Sequence, residues 1–266
     1  MNPLLDLDAR PVIAHRGASA SAPENTISAF ELAVQQGADA FELDVRVTRD
    51  GAAVVIHDQT LDRTTDLTGL VRARTLAELR AADAGYRFSL DREQSFPFRH
   101  KKVRIPTLAE VLWAFPSMPV MIEVKEPEAQ EAVQRALLEG DAVERCVLAS
   151  EHLGALERFR EAPFSCGAAG PEISALYRGV LLRRPPRECG YRLLSVPLRW
   201  HGLPVPTRAF VRAARALGAP VHVWTVNDAA TARRLWARGV AGIVTNVPEV
   251  IRAARESAAP VPGPRS

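Results

Sequence analysis

Short β-rich runs alternate with stretches of helical periodicity along most of the chain, and this alternation constrains the fold more than any other feature. The pattern is typical of a parallel sheet whose consecutive strands are joined by crossover helices. Because the length of 266 residues is close to the roughly 250 typical of an eight-stranded α/β barrel, we predict a single TIM-type (β/α)8 barrel. The predicted strands are residues 12–14, 40–45, 120–124, 143–149, 165–168, 193–196, 221–225 and 242–245.

A ninth β-like run, residues 53–56, does not fit the alternation. It follows Asp50-Gly51, a strong signal for a tight turn, so we expect it to pair antiparallel with the preceding strand. This β-hairpin would bring His57 opposite the acidic residues of that strand. Residues 58–104 then carry polar, aromatic and proline residues without a barrel-like strand, which predicts a small inserted region near the barrel mouth.

Composition limits the class of protein further. We expect one domain over residues 1–257, including the insertion, and a disordered tail over 258–266, which is rich in proline and small residues. The net charge of +3 is small and the basic residues are scattered, which argues against nucleic acid as a partner.

The cysteines and the hydrophobic pattern bear on the cellular compartment. Three cysteines without CxxC spacing indicate neither a disulfide framework nor a thiolate zinc site, and favour a reducing compartment. No run approaches the roughly 18 apolar residues of a membrane span, and the first residues lack the pattern of a signal peptide. We therefore expect a cytoplasmic protein without integral membrane association, whose oligomeric state the sequence leaves unknown.

Acidic residues interrupt two predicted strands. Glu42 and Asp44 alternate in one of them, so their carboxylates share a face, and Glu123 and Lys125 repeat this spacing in another. A charge inside a barrel strand is costly unless a cation compensates it, and all-oxygen ligands suit hard ions. We predict that Glu42, Asp44 and Glu123 bind one divalent metal ion, Mg²⁺ or Ca²⁺.

The alternative for these acids is a set of structural salt bridges with Arg16, Arg46 and Lys125. We favour the metal, because two such alternations on separate strands with histidines alongside rarely arise from packing alone. Arg16 can hold a phosphate group in bidentate fashion and Lys125 can add a point charge, which makes both candidates for substrate binding. A simple salt bridge of Lys125 with Glu126 remains an alternative.

Two histidines each end a β-rich run and lie near the acids. His15 and His57 are candidate catalytic residues, since one imidazole can deprotonate an attacking oxygen while the other protonates a leaving oxygen. Glu24 is either an acid at a helix start or a residue that supports the site from behind. Trp224 is either packing at the barrel top or an apolar wall for the substrate. The histidines interpreted as structural are His100, His152, His201 and His222.

Further segments extend these motifs over nearly the whole chain. They are His15-Arg16-Gly17, Pro23-Glu24-Asn25-Thr26, Glu42-Leu43-Asp44, Thr48-Arg49-Asp50-Gly51, His57-Asp58, Leu61-Asp62-Arg63-Thr64-Thr65, Glu123-Val124-Lys125, Val223-Trp224-Thr225-Val226-Asn227 and residues 239–245. Together they resemble the glycerophosphodiester phosphodiesterase family. The resemblance implies a phosphodiesterase barrel with a small inserted region. It also implies metal binding by Glu42, Asp44 and Glu123, acid–base catalysis by His15 and His57, and phosphate contact by Arg16 and Lys125.

Three positions depart from the pattern of similar sequences. Ala241 and Asn246 stand where such sequences often carry Asp, and Glu151 belongs to a segment that replaces a common Ser-Phe step. All proposed catalytic groups are nevertheless present, so we expect these departures to affect substrate preference rather than chemistry.

The resulting hypothesis is metal-dependent hydrolysis of glycerophosphodiesters to glycerol 3-phosphate and an alcohol. The sequence does not identify the alcohol, the metal ion, or whether water or a substrate hydroxyl attacks. One alternative is a lysophospholipid phosphodiesterase of the same family, for which Phe88, Phe96 and Phe98 of the insertion either form an acyl groove or, equally well, pack the insertion itself. The others are a Schiff-base aldolase that uses Lys125 and a non-catalytic phosphate-binding barrel.

Overall fold

The computed structural model describes residues 2–257 of the chain. Its strands are β1 (Val12–His15), β2 (Ala40–Val47), β3 (Ala53–Val55), β4 (Val120–Val124), β5 (Cys146–Ala149), β6 (Leu194–Pro197), β7 (Arg199–Trp200), β8 (Leu203–Pro204), β9 (Val221–Trp224) and β10 (Gly242–Thr245). Its helices are α1 (Ile27–Gln35), α2 (Leu76–Leu79), α3 (Leu108–Ala114), α4 (Gln130–Glu139), α5 (Gly170–Leu181), α6 (Arg208–Ala216), α7 (Ala229–Trp236) and α8 (Pro248–Glu256). The predicted tail over 258–266 lies outside the described residues.

Seven parallel strands form most of the barrel, and two isolated β-bridges complete it. The strand order is β5-β4-β2-β1-β10-β9-β6. Between the two ends of this order, Cys166 pairs with Leu148 of β5, and Gly167 pairs with Leu193 just before β6. These bridges close the ring, which confirms the predicted (β/α)8 barrel.

Two predicted strands are shorter in the structure by two residues or more, and the predicted strand over 221–225 ends one residue earlier, at Trp224. In the predicted strand over 165–168, only two residues form ladder bridges, because glycine and small side chains support strand packing weakly. The predicted strand over 143–149 begins only at Cys146, since Val143–Arg145 form a 3-10 turn.

The β-hairpin predicted from Asp50-Gly51 is present. β3 pairs antiparallel with the end of β2, with Val45 opposite Val55, and this pairing extends β2 to Val47. Gly51 has a φ of +78°, a conformation that glycine adopts without steric cost. His57 follows β3 and is thereby brought to the acidic strand.

Residues 58–104 contain α2, a short 3-10 helix and long irregular stretches. Leu61, Val71 and Leu79 are buried there in an apolar cluster with Val54 and Ile56 of the hairpin. The segment is therefore anchored beside the strand that carries the acids. In the described part of the chain, no helix combines the length and the apolar character that a bilayer span requires.

His222 of β9 lies inside the barrel at the end opposite the acids and is completely buried. Its Nε2 lies 2.8 Å from the Leu4 carbonyl oxygen. Burial lowers the pKa of His222 to about 4, although the hydrogen bond to Leu4 acts in the opposite direction. The structural role predicted for this histidine fits these contacts.

This burial predicts that His222 makes the fold sensitive to acid. An unfolded histidine has a pKa of about 6.5, so the unfolded chain binds more protons than the folded protein as the pH falls from about 6.5 to about 4. At pH 5 the expected loss in the free energy of unfolding from this one residue is about 2 kcal/mol relative to pH 7. Urea denaturation of the wild type and His222→Gln at both pH values measures it. If the free energy of unfolding fell by the same amount between pH 7 and pH 5 in both proteins, His222 would not be the source of the acid sensitivity.

Candidate functional site

The acids lie on neighbouring strands at the carboxyl end of the barrel. In the parallel ladders, His15 is in register with Glu42, and Asp44 is in register with Glu123. Neighbouring strands are about 4.8 Å apart, so this register brings the side chains together. One oxygen from each of Glu42, Asp44 and Glu123 lies within 4.8 Å of the others, a grouping that could hold a metal ion.

The neighbouring cations pair with only some of the carboxylate oxygens in this cluster. Lys125 Nζ lies 2.9 Å from Asp44 Oδ1 and 2.8 Å from Glu123 Oε1, and Arg16 Nε lies 3.0 Å from Asp44 Oδ2. Nevertheless, Asp44 Oδ1 is buried and accepts no well-directed hydrogen bond. Glu42 is also buried; it accepts a long hydrogen bond from the Arg16 backbone N–H at 3.3 Å, and His15 Nε2 lies 3.9 Å away.

The electrostatics show the same surplus of negative charge. Burial, and then the charges of Asp44 and Glu123, raise the pKa of Glu42 well above its ordinary value. Burial likewise raises the pKa of Glu123, although Lys125 opposes this. Burial also disfavours the charged form of Asp44, but Lys125 and Arg16 outweigh it and lower its pKa. The donor set, all oxygen and not neutralised by the protein, therefore fits a hard divalent cation.

The loop between β1 and α1 positions Arg16. Arg16 and Asn25 have φ values of +58°, and Gly17 has +84°. A Cβ on Gly17 would lie 2.6 Å from the backbone of Ala29, so only glycine fits in this sharp turn. Asn25 Nδ2 donates to Asp44 Oδ2 at 2.8 Å, which holds that carboxylate from the side of the loop. As a residue before α1, Asn25 was a candidate helix cap from sequence, but Thr26 caps the helix and Asn25 contacts the acid instead. Asparagine tolerates its positive φ better than most residues.

Both histidines are oriented through Nδ1. His15 Nδ1 lies 2.7 Å from Asn246 Oδ1, and His57 Nδ1 lies 2.6 Å from Asp58 Oδ1. Because an amide oxygen or a carboxylate only accepts, each Nδ1 carries a proton and each Nε2 remains available for chemistry. Burial lowers the pKa of His15, and the neighbouring Arg16 acts in the same direction.

Arg63 of the 58–104 segment contacts both Asp58, the partner of His57, and Glu24. Its Nε donates to Asp58 at 2.5 Å, and its two terminal nitrogens donate to the Glu24 carboxylate at 2.7 and 2.8 Å. Glu24 also accepts from Arg16 at 3.0 Å. Glu24 thus lies behind the site between two arginines, and Arg63 is a residue that the sequence analysis did not single out.

The salt-bridge alternative is realised only in part. Arg16 and Lys125 do contact the acids, and Lys125 does so in place of the simple pair with Glu126. Arg46 instead donates to Glu126 at 3.0 Å and to the His57 carbonyl at 2.8 Å.

A cavity of about 710 Å³ opens above the strand ends. Glu42, Glu123, Lys125 and both candidate histidines line it, together with Arg16, Trp224 and His152. The insertion phenylalanines do not line it: Phe88 packs edge-on against Phe98 at 5.3 Å, and Arg99 covers Phe96. Of the two roles that the sequence left open for Phe88, Phe96 and Phe98, an acyl groove or packing within the insertion, these contacts show the packing.

The departures from the family pattern fall in different places. Glu151 lines the cavity, and Asn246 contacts His15. Ala241 is buried at the beginning of β10, at the other end of the strand from the acids. Of the three, only Glu151 and Asn246 therefore lie at the site, and their effect on substrate preference stays a prediction.

Comparisons with known proteins agree with the fold and identify the family. A family model described as the glycerophosphoryl diester phosphodiesterase family matches residues 15–250. The chain is 35% identical over 255 residues to a glycerophosphodiester phosphodiesterase of Caldanaerobacter subterraneus subsp. tengcongensis, covering 90% of this chain and 95% of that protein.

Two solved structures show the same similarity. A glycerophosphodiester phosphodiesterase from Agrobacterium tumefaciens is 28% identical with a TM-score of 0.72, covering 92% of this chain and 99% of that one. A phosphodiesterase from Oleispira antarctica, solved with the product sn-glycerol-3-phosphate, is 29% identical with a TM-score of 0.74, covering 93% and 97% of the two chains.

Proposed function

Because the chain belongs to the glycerophosphoryl diester phosphodiesterase family, we propose that it hydrolyses glycerophosphodiesters to glycerol 3-phosphate and an alcohol. One observation carries the proposal: Glu42 and Glu123 of the acid cluster, the two histidines and Arg16 line the same cavity at the carboxyl end of the barrel, and Asp44 lies buried beside those two acids. Such ends are where barrel enzymes place their reactive groups. Glycerophosphocholine and glycerophosphoethanolamine are substrates with which to test it.

We propose that Glu42, Asp44 and Glu123 hold one divalent ion, Mg²⁺ or Ca²⁺. The support is their mutual approach within 4.8 Å and the raised pKa of two of the three carboxyls. When bound, such an ion would neutralise charge that develops on the phosphoryl oxygens. Lys125 then adds a positive charge beside two of the ligands, and Arg16 offers a guanidinium to the phosphate.

The two histidines are proposed to move the protons. Each has its Nδ1 occupied by a fixed acceptor, so Nε2 is the atom that exchanges a proton with the substrate. One imidazole removes the proton of the attacking oxygen, and the other protonates the oxygen of the departing alcohol. Asp58 and Asn246 keep the rings oriented, and Trp224 offers the substrate an apolar side chain in the same cavity.

Chelation of divalent metal tests this function. We expect EDTA treatment to reduce glycerophosphocholine hydrolysis by at least about 1,000-fold, because several kcal/mol of charge stabilisation would be lost. Restoring Mg²⁺ or Ca²⁺ separately, while glycerol 3-phosphate release is measured, identifies the working ion. Untreated protein carried through the same buffer exchange is the control. Full turnover after complete removal of metal would reject the proposal.

The aldolase alternative is disfavoured by the environment of Lys125. A Schiff-base lysine needs a neutral amine, which burial alone would favour. The charges of Asp44 and Glu123 outweigh burial and raise the pKa of Lys125. Its ammonium form is thus stabilised, which suits a contact to anionic substrate rather than a nucleophile.

We further propose that residues 58–104 are an insertion within a single barrel domain. The support is their packing on the β2–β3 hairpin and the contact of Arg63 with Glu24 across the site. A reducing, cytoplasmic setting is proposed from the three free cysteines, two of which are buried.

A further inference from the structure

Basic and acidic residues are divided unevenly along the chain. Residues 178–257 carry fourteen arginines, no lysine and four carboxylates, a net charge of +10, whereas residues 1–177 carry a net charge of −8. Consecutive β/α units lie side by side around a barrel, so a bias along the chain becomes a bias between two sides of the molecule. The side that contains α6, α7 and α8 is therefore strongly basic.

Most of these arginines have no anionic partner. Three of the fourteen form ion pairs, namely Arg215, Arg252 and Arg255. The other eleven are exposed, and none of them forms an ion pair with a carboxylate of residues 2–257. Like charges that are clustered and unpaired repel one another and destabilise a fold. An anionic partner outside the chain would remove this repulsion.

Helices α6 and α7 present four of these arginines to solvent. Each helix buries its apolar side: Phe210 of α6 is completely buried, and Trp236 of α7 is nearly so. The two helices are neighbours, because Arg238 just after α7 donates to the carbonyl of Pro206 before α6 at 3.5 Å. The outward arginines are Arg208 and Arg212 on α6 and Arg233 and Arg234 on α7.

Two leucines at the end of α5 lie beside this surface. Leu181 is 66% and Leu182 is 73% exposed, and Arg183 and Arg184 follow them. Helix α5 packs against α6 through an aromatic contact, which brings its end next to the outward arginines. Residues 181–184 and the four outward arginines of α6 and α7 are together called the basic face.

The mixture of exposed leucine and arginine fits the surface of a lipid bilayer. Arginines near an anionic membrane are attracted to its head groups. Leucines beside such arginines enter the boundary between the head groups and the acyl chains. The charge and the apolar character of the basic face therefore fit the same partner.

Nucleic acid would be attracted by the same charge, but proteins bind it through other side chains as well. Those that bind single strands stack the bases on exposed aromatic rings. Within residues 181–184, α6 and α7, the aromatic side chains are Phe210 and Trp236, and both are buried. The basic face therefore favours lipid over nucleic acid.

We propose that the basic face docks the protein on an anionic phospholipid bilayer. The arginines contact the head groups, and Leu181 and Leu182 insert just below them. Such binding is peripheral and reversible, since it depends on a few charges and two apolar side chains. It goes beyond the proposed hydrolysis and does not depend on it, because the residues of the basic face are not among those that line the cavity.

Cosedimentation with vesicles measures the docking. The vesicles contain phosphatidylcholine alone or with about 30% phosphatidylglycerol, whose head group is anionic. At low salt we expect the wild type to bind the anionic vesicles at least about 100-fold more tightly than the neutral ones, and to lose most of this preference above about 0.3 M salt. Arg233→Glu/Arg234→Glu should weaken binding to anionic vesicles by at least about 25-fold, about fivefold for each arginine removed.

Two further variants test the rest of the basic face. Leu181→Ser/Leu182→Ser should weaken binding by at least about tenfold while the salt dependence persists, because leucine contributes apolar burial and no charge. Arg208→Glu/Arg212→Glu repeats the charge reversal on α6, and tests the proposal even if the α7 variant does not fold. Circular dichroism checks the fold of each protein.

The matched control is Arg72→Glu/Lys101→Glu. It makes the same change in net charge, on two exposed side chains of the 58–104 segment that lie outside the basic face. Distant charges are largely screened, so this variant should bind anionic vesicles within about threefold of the wild type.

Three outcomes would overturn the proposal. Equal wild-type binding to both kinds of vesicle, or arginine reversals that act no more strongly than the control, would exclude the basic face as a membrane site. Binding of DNA without binding of vesicles, lost in the arginine variants, would assign the face to nucleic acid. Self-association in sedimentation velocity that the arginine variants abolish, without vesicle binding, would make the face an interface between copies of this chain.

Discussion

Glu42→Gln is expected to abolish turnover and, at the same time, to stabilise the metal-free protein. Loss of a charged ligand should lower kcat/KM by at least about 1,000-fold, because the metal would bind weakly or not at all. A carboxyl whose pKa is raised on folding destabilises the fold at any pH above its unfolded pKa, and Glu42 is in this position. Gln should therefore raise the free energy of unfolding at pH 7 by about 1 kcal/mol in EDTA.

Asp44→Asn is the matched comparison. It should cause the same loss of activity but destabilise the protein by about 3 to 5 kcal/mol, because Arg16 and Lys125 would lose their buried partner. Urea denaturation in EDTA and with saturating Mg²⁺ or Ca²⁺ measures both effects. Metal should stabilise the wild type and neither variant. A Glu42→Gln protein that is still stabilised by metal and still active would remove Glu42 from the ligand set.

His57→Gln is expected to lower kcat by about 100- to 10,000-fold with little change in KM, since a proton-transfer group acts in the transition state and not in binding. His15→Gln should behave in the same way, and the bell-shaped dependence of rate on pH should lose one limb in each variant. Circular dichroism checks the fold of both proteins.

The matched control for the histidines is His100→Asn. His100 is exposed in the 58–104 segment, has a φ of +61° that asparagine tolerates, and does not line the cavity. It should keep full activity. A His57→Gln enzyme with near-normal kcat would exclude that imidazole from proton transfer, and equal losses in His100→Asn would indicate a folding defect instead.

Prediction of the fold succeeded where the pattern was local. The alternation of β-rich runs and helices identified the barrel, and Asp50-Gly51 identified the hairpin that carries His57 to the acids. The fold prediction was weakest for residues 165–168, where small side chains leave only two ladder bridges. The β7–β8 hairpin was not predicted, because two-residue strands produce no detectable periodicity.

The contacts between polar and charged side chains were harder to predict than the presence of those side chains at the site. The contact of Arg63 with Glu24 joins residues that are 39 positions apart, and His15 meets Asn246 across 231 positions. Neither pair has a local signal, since each depends on how two loops meet at the barrel mouth. The insertion phenylalanines show the converse case, because their apolar character was visible but the direction they face was not.

The sequence by itself determined which end of which strands would carry the reactive groups. Side chains alternate with period two along a strand, and the carboxyl ends of parallel strands meet at one end of a barrel, so Glu42, Asp44 and Glu123 had to converge. Only the tertiary structure decided which cations face these acids and what orients each imidazole. Those contacts arise when the ring closes, because closure brings together groups that are distant along the chain.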